Sequence, residues 1–156
     1  MITIAIDPST KCTGYSVFKD SKLIDYGAFS EESKNTTERV FNILTKVEEL
    51  IKKHEPTNMA VEDVQITMNA KTAKALLGLQ FSIELLAYKY NIECSLLHPT
   101  SWRKILGLSN SRTLDRAAKK QETINYVENK YQIKIEKDDI SDAIAIGTAF
   151  IENAKK

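Results

Sequence analysis

Four carboxylates stand out by type and position. Asp7 closes the run "ITIAID" directly before Pro8, Glu62 sits inside "MAVEDV", and Asp139 and Asp142 form a D-x-x-D pair within "DDISDAIAIGTAF". Oxygen donors in that number suit a hard divalent cation, Mg²⁺ or Mn²⁺. Two such ions in one site can activate a water and stabilise the leaving oxygen of an in-line phosphodiester displacement, which is nuclease chemistry. Taken singly, each acid also has a structural reading. Asp7 before a Pro-Ser-Thr corner is an ordinary turn residue. Asp139 and Ser141 are both candidate N-caps, and acids in a first helical turn complement the dipole. Glu62, among Ala60, Val61 and Val64, needs an Arg or Lys partner or a cation, because a buried carboxylate is costly unpaired. Asp63 points to the opposite side of the pleat and is expected to be a solvated edge charge.

These acids can act together only if the chain's elements converge. Residues 1–6, 14–19 and 23–29 predict three consecutive strands, the last two joined by the polar turn Lys19-Asp20-Ser21-Lys22. Pro8 pushes Asp7 into extended backbone and cannot itself donate to a ladder, so Asp7 should be the last strand residue, at the edge of the sheet. Val40, Leu44, Val47, Leu50 and Ile51 recur at helical spacing in a surface helix that ends near His54, before Pro56. A strand over residues 59–64, a long helix over 70–90 and a strand in "IECSLL" follow. "PTSWRKILGL", residues 114–130 and residues 141–153 read as helical pieces, with Ile133 and Ile135 in a short extended link. The order predicts an α/β fold, a five-stranded mixed sheet with helices on both faces. On the last helix Asp139 and Asp142 share a face, with Cβ atoms about 5–6 Å apart. The apolar run Ala143, Ile144, Ile146, Gly147 and Phe150 would pack that helix on the sheet and carry the acids with it.

Composition sets the outer limits. At 156 residues and 42% hydrophobic content, with no repeat or Pro/Gly-rich linker, residues 1–156 read as one globular domain. Cys12 and Cys94 follow no metal-ligand spacing and read as reduced thiols. No basic leader precedes an apolar run, and no apolar run is long enough to span a bilayer, so the expectation is a soluble cytoplasmic protein without a membrane partner. Lys plus Arg number 22 against 21 for Asp plus Glu, so the distribution of charge matters more than its sum. Between Ser101 and Lys120 lie Arg103, Lys104, Arg112, Arg116, Lys119 and Lys120 against the single acid Asp115. Such a segment is either a solvated helix face or a footprint for phosphates, and the four acids favour DNA. Lys11, in the turn after Asp7, is a candidate phosphate neighbour. Trp102 reads as core rather than as a platform for bases, and His54 and His98 have structural roles at element ends. The helix over 70–90 is apolar almost all round; one face should meet the sheet, and the other meets either more core or a second subunit.

The motifs resemble a known family, the RuvC-type Holliday junction resolvases of the ribonuclease H-like superfamily. "IAIDPSTKCTGYSVF" is similar to the family's first hairpin, "MAVEDV" to its acidic fourth strand and "DDISDAIAIG" to its C-terminal acidic helix, in matching order and spacing. The resemblance implies that Asp7, Glu62, Asp139 and Asp142 form a metal-binding catalytic tetrad holding two Mg²⁺, with Mn²⁺ as a substitute. It implies a homodimer that makes paired nicks in four-way DNA junctions. It also implies that Lys120 contacts the scissile region, with Arg103 or Lys104 replacing another family lysine. Two positions depart from the pattern. Ser9 stands where Gly is common, and Gln65 stands three residues after the tetrad glutamate, where an aromatic wedge is often found. The expectation is a divergent, phage-like member that accepts forks and three-way junctions as well as four-way ones. "DPSTKCTGYSVF" is also similar to the phosphate loop of actin-like and sugar-kinase ATPases. Those need a second similar domain and a Gly-rich adenosine loop, for which 156 residues with five Gly leave no room. A non-catalytic junction-binding module is the remaining alternative, and it would be expected to have lost one of the four acids.

Overall fold

The computed structural model describes residues 1–66 and 69–155. Three antiparallel strands open the chain, β1 (Ile2–Asp7), β2 (Cys12–Lys19) and β3 (Lys22–Ser30), followed by helix α1 (Thr36–His54) and strand β4 (Asn58–Glu62). Helix α2 (Ala70–Lys89), strand β5 (Glu93–Leu97) and the helices α3 (Pro99–Ile105), α4 (Arg116–Tyr131) and α5 (Asp138–Asn153) complete it. The sheet order is β3-β2-β1-β4-β5. β1 pairs antiparallel with β2 and parallel with β4, and β4 pairs parallel with β5. The expected five-stranded mixed sheet is therefore present.

Alternation along the strands divides the core. Ile4 and Ile6 of β1 and Met59 and Val61 of β4 face α1 and α2, where Ile43, Val47, Leu79 and Ile83 complete a fully buried layer. Ala5 and Ala60, one residue out of phase, face the other way into a layer with Phe18, Trp102, Ile144 and Ala145. Helices therefore cover both faces. Because Asp7 and Glu62 have the parity of Ala5 and Ala60, both belong to the α5 face.

Small residues bring α5 close to the sheet. A Cβ on Gly14 would stand 1.9 Å from the backbone oxygen of Asp139, and one on Gly147 would stand 2.4 Å from the Phe18 ring. Either side chain would force the helix off. Ser16 Oγ, buried in β2, donates to the Ala143 oxygen at 2.8 Å and fixes the seat.

Among the element boundaries that differ from the sequence-based expectation, two bear on the acids. β4 ends at Glu62 rather than at residue 64, because the Val64 N–H donates to the buried side chain of Gln80 at 2.6 Å instead of to a ladder. α5 begins at Asp138, three residues earlier than expected, with Ser141 Oγ donating to the Asp138 oxygen at 2.7 Å. Its N-cap is Lys137, which makes no side-chain capping bond, so neither Asp139 nor Ser141 serves as the cap. Among the described residues no helix is long and apolar enough to cross a membrane.

Candidate active site

The register that ends β1 and β4 puts two acids side by side. Ala5 pairs with Ala60 and Ile6 with Val61 in parallel, so the next step sets Asp7 beside Glu62 on neighbouring strands. On the other side Asp7 pairs with Gly14, the residue whose missing side chain admits the Asp139 backbone. Asp142, one turn on, faces the same space. Asp7, Glu62, Asp139 and Asp142 all line one cavity of about 390 Å³, closed by Pro8, Ser9, Trp102 and the α4 cations Arg116, Lys119 and Lys120.

The electrostatics are those of crowded negative charge. Burial, then the charges of Glu62, Asp142 and Asp139, hold the Asp7 carboxyl well above the usual range, with Lys120 pulling the other way. Asp142 is pushed up to about 7, first by burial and then by Glu62 and Asp139, against Lys120 and Arg103. Glu62 is raised by burial, while the Trp102 indole and the charges of His98 and Arg103 draw it down. No three His, Cys, Asp or Glu side chains among the described residues are gathered into a ready-made metal cage. A divalent cation would offset the negative charge these carboxylates bring together.

Trp102 belongs to this site, which its sequence context did not reveal. Its ring is 3% exposed, as a core residue should be, yet its Nε1–H donates to Glu62 Oε2 at 2.7 Å. A buried indole N–H takes a partner, and here that partner is one of the four acids.

A family model described as "Crossover junction endodeoxyribonuclease RuvC" matches residues 3–150. The chain belongs to the RuvC family. The RuvC of Brachyspira hyodysenteriae is 32% identical over 155 residues, which span 96% of this chain and 92% of that one. The RuvC of Chloroherpeton thalassium is 30% identical over 154 residues, spanning 94% and 79% respectively. Among solved structures, Thermus thermophilus RuvC in complex with a Holliday junction substrate superposes with a TM-score of 0.83 over 99% of this chain and 96% of that one, at 18% identity. The Fowlpox virus resolvase bound to Holliday junction DNA superposes at 0.69 over the full length of both chains, at 16% identity. The shared architecture is thus that of the RuvC fold, the ribonuclease H-like arrangement.

In this RuvC-family chain the basic residues expected to meet DNA divide into groups. Arg116, Lys119 and Lys120 line the acidic cavity, and Lys120 also pairs with Asp138. Lys104 and Arg112 are exposed but lie outside that cavity. Arg103 also lines that cavity but is held by the protein itself. It is 7% exposed, and its guanidinium donates to the Ser109 oxygen at 2.8 Å, the Lys119 oxygen at 3.5 Å, Thr123 Oγ1 at 2.9 Å and Glu122 Oε2 at 2.5 Å. Those bonds tie α3 to α4 and fix the guanidinium at the wall of the cavity. Gln65 is exposed after β4, its Nε2 donating to the Asp63 oxygen at 2.9 Å and its Oε1 lying 2.9 Å from His98 Nε2. Asp63 lines a different cavity from the four acids, and its backbone N–H extends the ladder to the Leu97 oxygen at 3.0 Å. Lys11 is exposed and lines a separate cavity on the far side of Ser9.

Proposed function

We propose that this protein is a structure-selective endonuclease that cleaves phosphodiester bonds in branched DNA, with four-way junctions as its principal substrate. The observation that carries the reading is the convergence of Asp7, Glu62, Asp139 and Asp142 on one cavity walled by α4 cations, in a chain of the RuvC family. The all-oxygen donor set and its uncompensated charge fit Mg²⁺, with Mn²⁺ as a substitute, and the four acids are the residues that would hold two such ions. When bound, the ions supply an activated water and charge stabilisation at the leaving oxygen.

The chain's own residues do the rest. Trp102 orients the Glu62 carboxylate through the indole N–H, and Gly14 sets the depth at which Asp139 meets Asp7. Lys120, Lys119 and Arg116 attract the backbone to a cavity whose acids would otherwise repel it. Gln65 offers an amide where an aromatic ring would stack, so affinity rests on phosphate contacts, and forks and three-way junctions are accepted too.

Paired nicking requires two sites, and a homodimer supplies them. Phe81, Leu85 and Tyr88 of α2 are 62%, 53% and 84% exposed on the side away from Leu79 and Ile83, and Phe41 of α1 is 67% exposed. Aromatic and aliphatic surface of that kind suits an isologous contact. The test of the function is incubation of the purified protein with labelled four-way, three-way and linear duplex DNA, with and without Mg²⁺. Metal-dependent cleavage of the branched forms is expected; cleavage of none of them would sink the reading.

A further inference from the structure

The corner after Asp7 separates two cavities of opposite character. Ser9 and Leu76 line both the acidic one and a second cavity of about 480 Å³, bounded by the β1–β2 turn and the first turns of α1 and α2. Lys11, Lys34, Arg39 and Lys71 line the second, together with the hydroxyls of Thr36 and Thr72. Among the described residues no Asp or Glu does.

What distinguishes these cations is that four of them gather on one cavity with no carboxylate among its described lining residues. Several other lysines have carboxylate partners: Lys46 with Glu31, Lys53 with Asp25, Lys89 with Glu48 and Lys130 with Glu152. The ammonium groups of Lys11, Lys34 and Lys71 make no ion pair or hydrogen bond among the described residues. Arg39 is fixed in place, but only by neutral acceptors. Its Nε donates to the Thr10 oxygen at 3.0 Å, and its two terminal nitrogens donate to the Ser33 oxygen at 2.6 Å and Thr36 Oγ1 at 3.1 Å. Its full charge is held at the mouth of the cavity, between the β1–β2 turn and the start of α1. The positive ends of two long helices add to the same field.

A polyanion crossing the four acids must be attracted by neighbouring cations. α4 provides Arg116, Lys119 and Lys120 at the acidic cavity, and the second cavity adjoins it across Ser9 and Leu76. We propose that this cavity is a second phosphate-binding site, taking a backbone phosphate of the strand whose scissile phosphate lies at the acids. The assignment rests on the nuclease reading of the acidic cavity.

Lys34 and Lys71 are exposed, and their side chains make no bond to the protein, so K34A/K71A should fold as the wild type does. Its binding to a labelled four-way junction is measured in EDTA, where cleavage is blocked, from low to moderate salt. The K19A/K22A variant, altered at the distant β2–β3 turn, is the control. The plot of log affinity against log salt should become shallower by about 2 in K34A/K71A, and affinity at 0.1 M salt should fall at least about tenfold. In Mg²⁺ the KM should rise while kcat holds, because the scissile phosphate is held elsewhere. A wild-type slope and affinity in K34A/K71A would overturn the second site while leaving the nuclease reading intact. Failure of the wild type to bind junction DNA at all would overturn both.

Discussion

Trp102→Phe removes one hydrogen-bond donor from the acidic cavity and little else that is polar. In the wild type the indole N–H reaches Glu62 Oε2 at 2.7 Å from a ring that is 3% exposed, so solvent has poor access to replace it. A hydrogen bond to a charged acceptor contributes about 1.5–3 kcal/mol, which corresponds to roughly 10- to 100-fold in an equilibrium constant. Loss of partners that orient metal ligands costs the same order in metal affinity. Without the donor, Glu62 is also raised further, since burial already raises it and the indole opposes that. The Mg²⁺ concentration that half-saturates four-way junction cleavage should therefore rise at least about tenfold. The acid limb of the pH–rate profile should shift upward with it. The assay is a Mg²⁺ titration of single-turnover cleavage, with the thermal midpoint recorded in parallel because Phe also packs less well in the core. A lowered thermal midpoint with an unchanged Mg²⁺ midpoint would refute the reasoning and leave Trp102 as packing alone.

Other consequences follow from the same geometry. Asp142 is raised from its ordinary 3.8 to about 7, with Asp7 and Glu62 also raised, so the metal-free folded state binds more protons than the unfolded chain between those values. Stability of the metal-free protein should thus fall as pH rises through that window, by up to about 4 kcal/mol for Asp142; thermal unfolding in EDTA at pH 5 and pH 8 checks it, and Mg²⁺ should restore more at pH 8. Gly14→Ala would set a Cβ 1.9 Å from the Asp139 backbone oxygen and lever α5 outward; cleavage should drop at least about tenfold, since a shift of about 1 Å at a reacting centre can cost 100-fold, and unchanged activity would show that α5 tolerates the displacement. Phe81→Glu places a charge on the exposed apolar face of α2; sedimentation equilibrium should show a dimer in the wild type and a monomer in the variant, and a wild-type monomer at micromolar concentration would contradict paired nicking.

The acids were legible because their positions follow from local rules. Pro8 ends β1 at Asp7, alternation puts Glu62 in phase with Ala60, and the D-x-x-D spacing keeps Asp139 and Asp142 on one helical face. The sheet was legible for the same reason, since alternation and helical spacing survive in strands and helices that pack on a single core. What escaped depends on contacts between distant segments. Nothing in "PTSWRKILGL" says that Trp102 will meet a residue 40 positions earlier, or that Arg103 beside it will be held by Glu122 and Thr123. Gly14 did carry a usable signal, because a glycine inside a strand pattern often marks a close backbone approach. The second cavity was half visible: Lys11 was identifiable beside Asp7, whereas Lys34, Arg39 and Lys71 come from other elements and meet it only in the folded chain.

The central claim is that the four acids hold the cations that cut branched DNA, and Asp7→Asn tests it most directly. The substitution keeps the shape of the side chain and removes one charge and one strong oxygen ligand from the cavity. Single-turnover cleavage of a labelled four-way junction and equilibrium binding to the same junction are measured side by side in Mg²⁺. Cleavage should vanish while binding is retained or strengthened, because one repulsive charge near the phosphates is gone. Cleavage by Asp7→Asn at the wild-type rate would contradict the account.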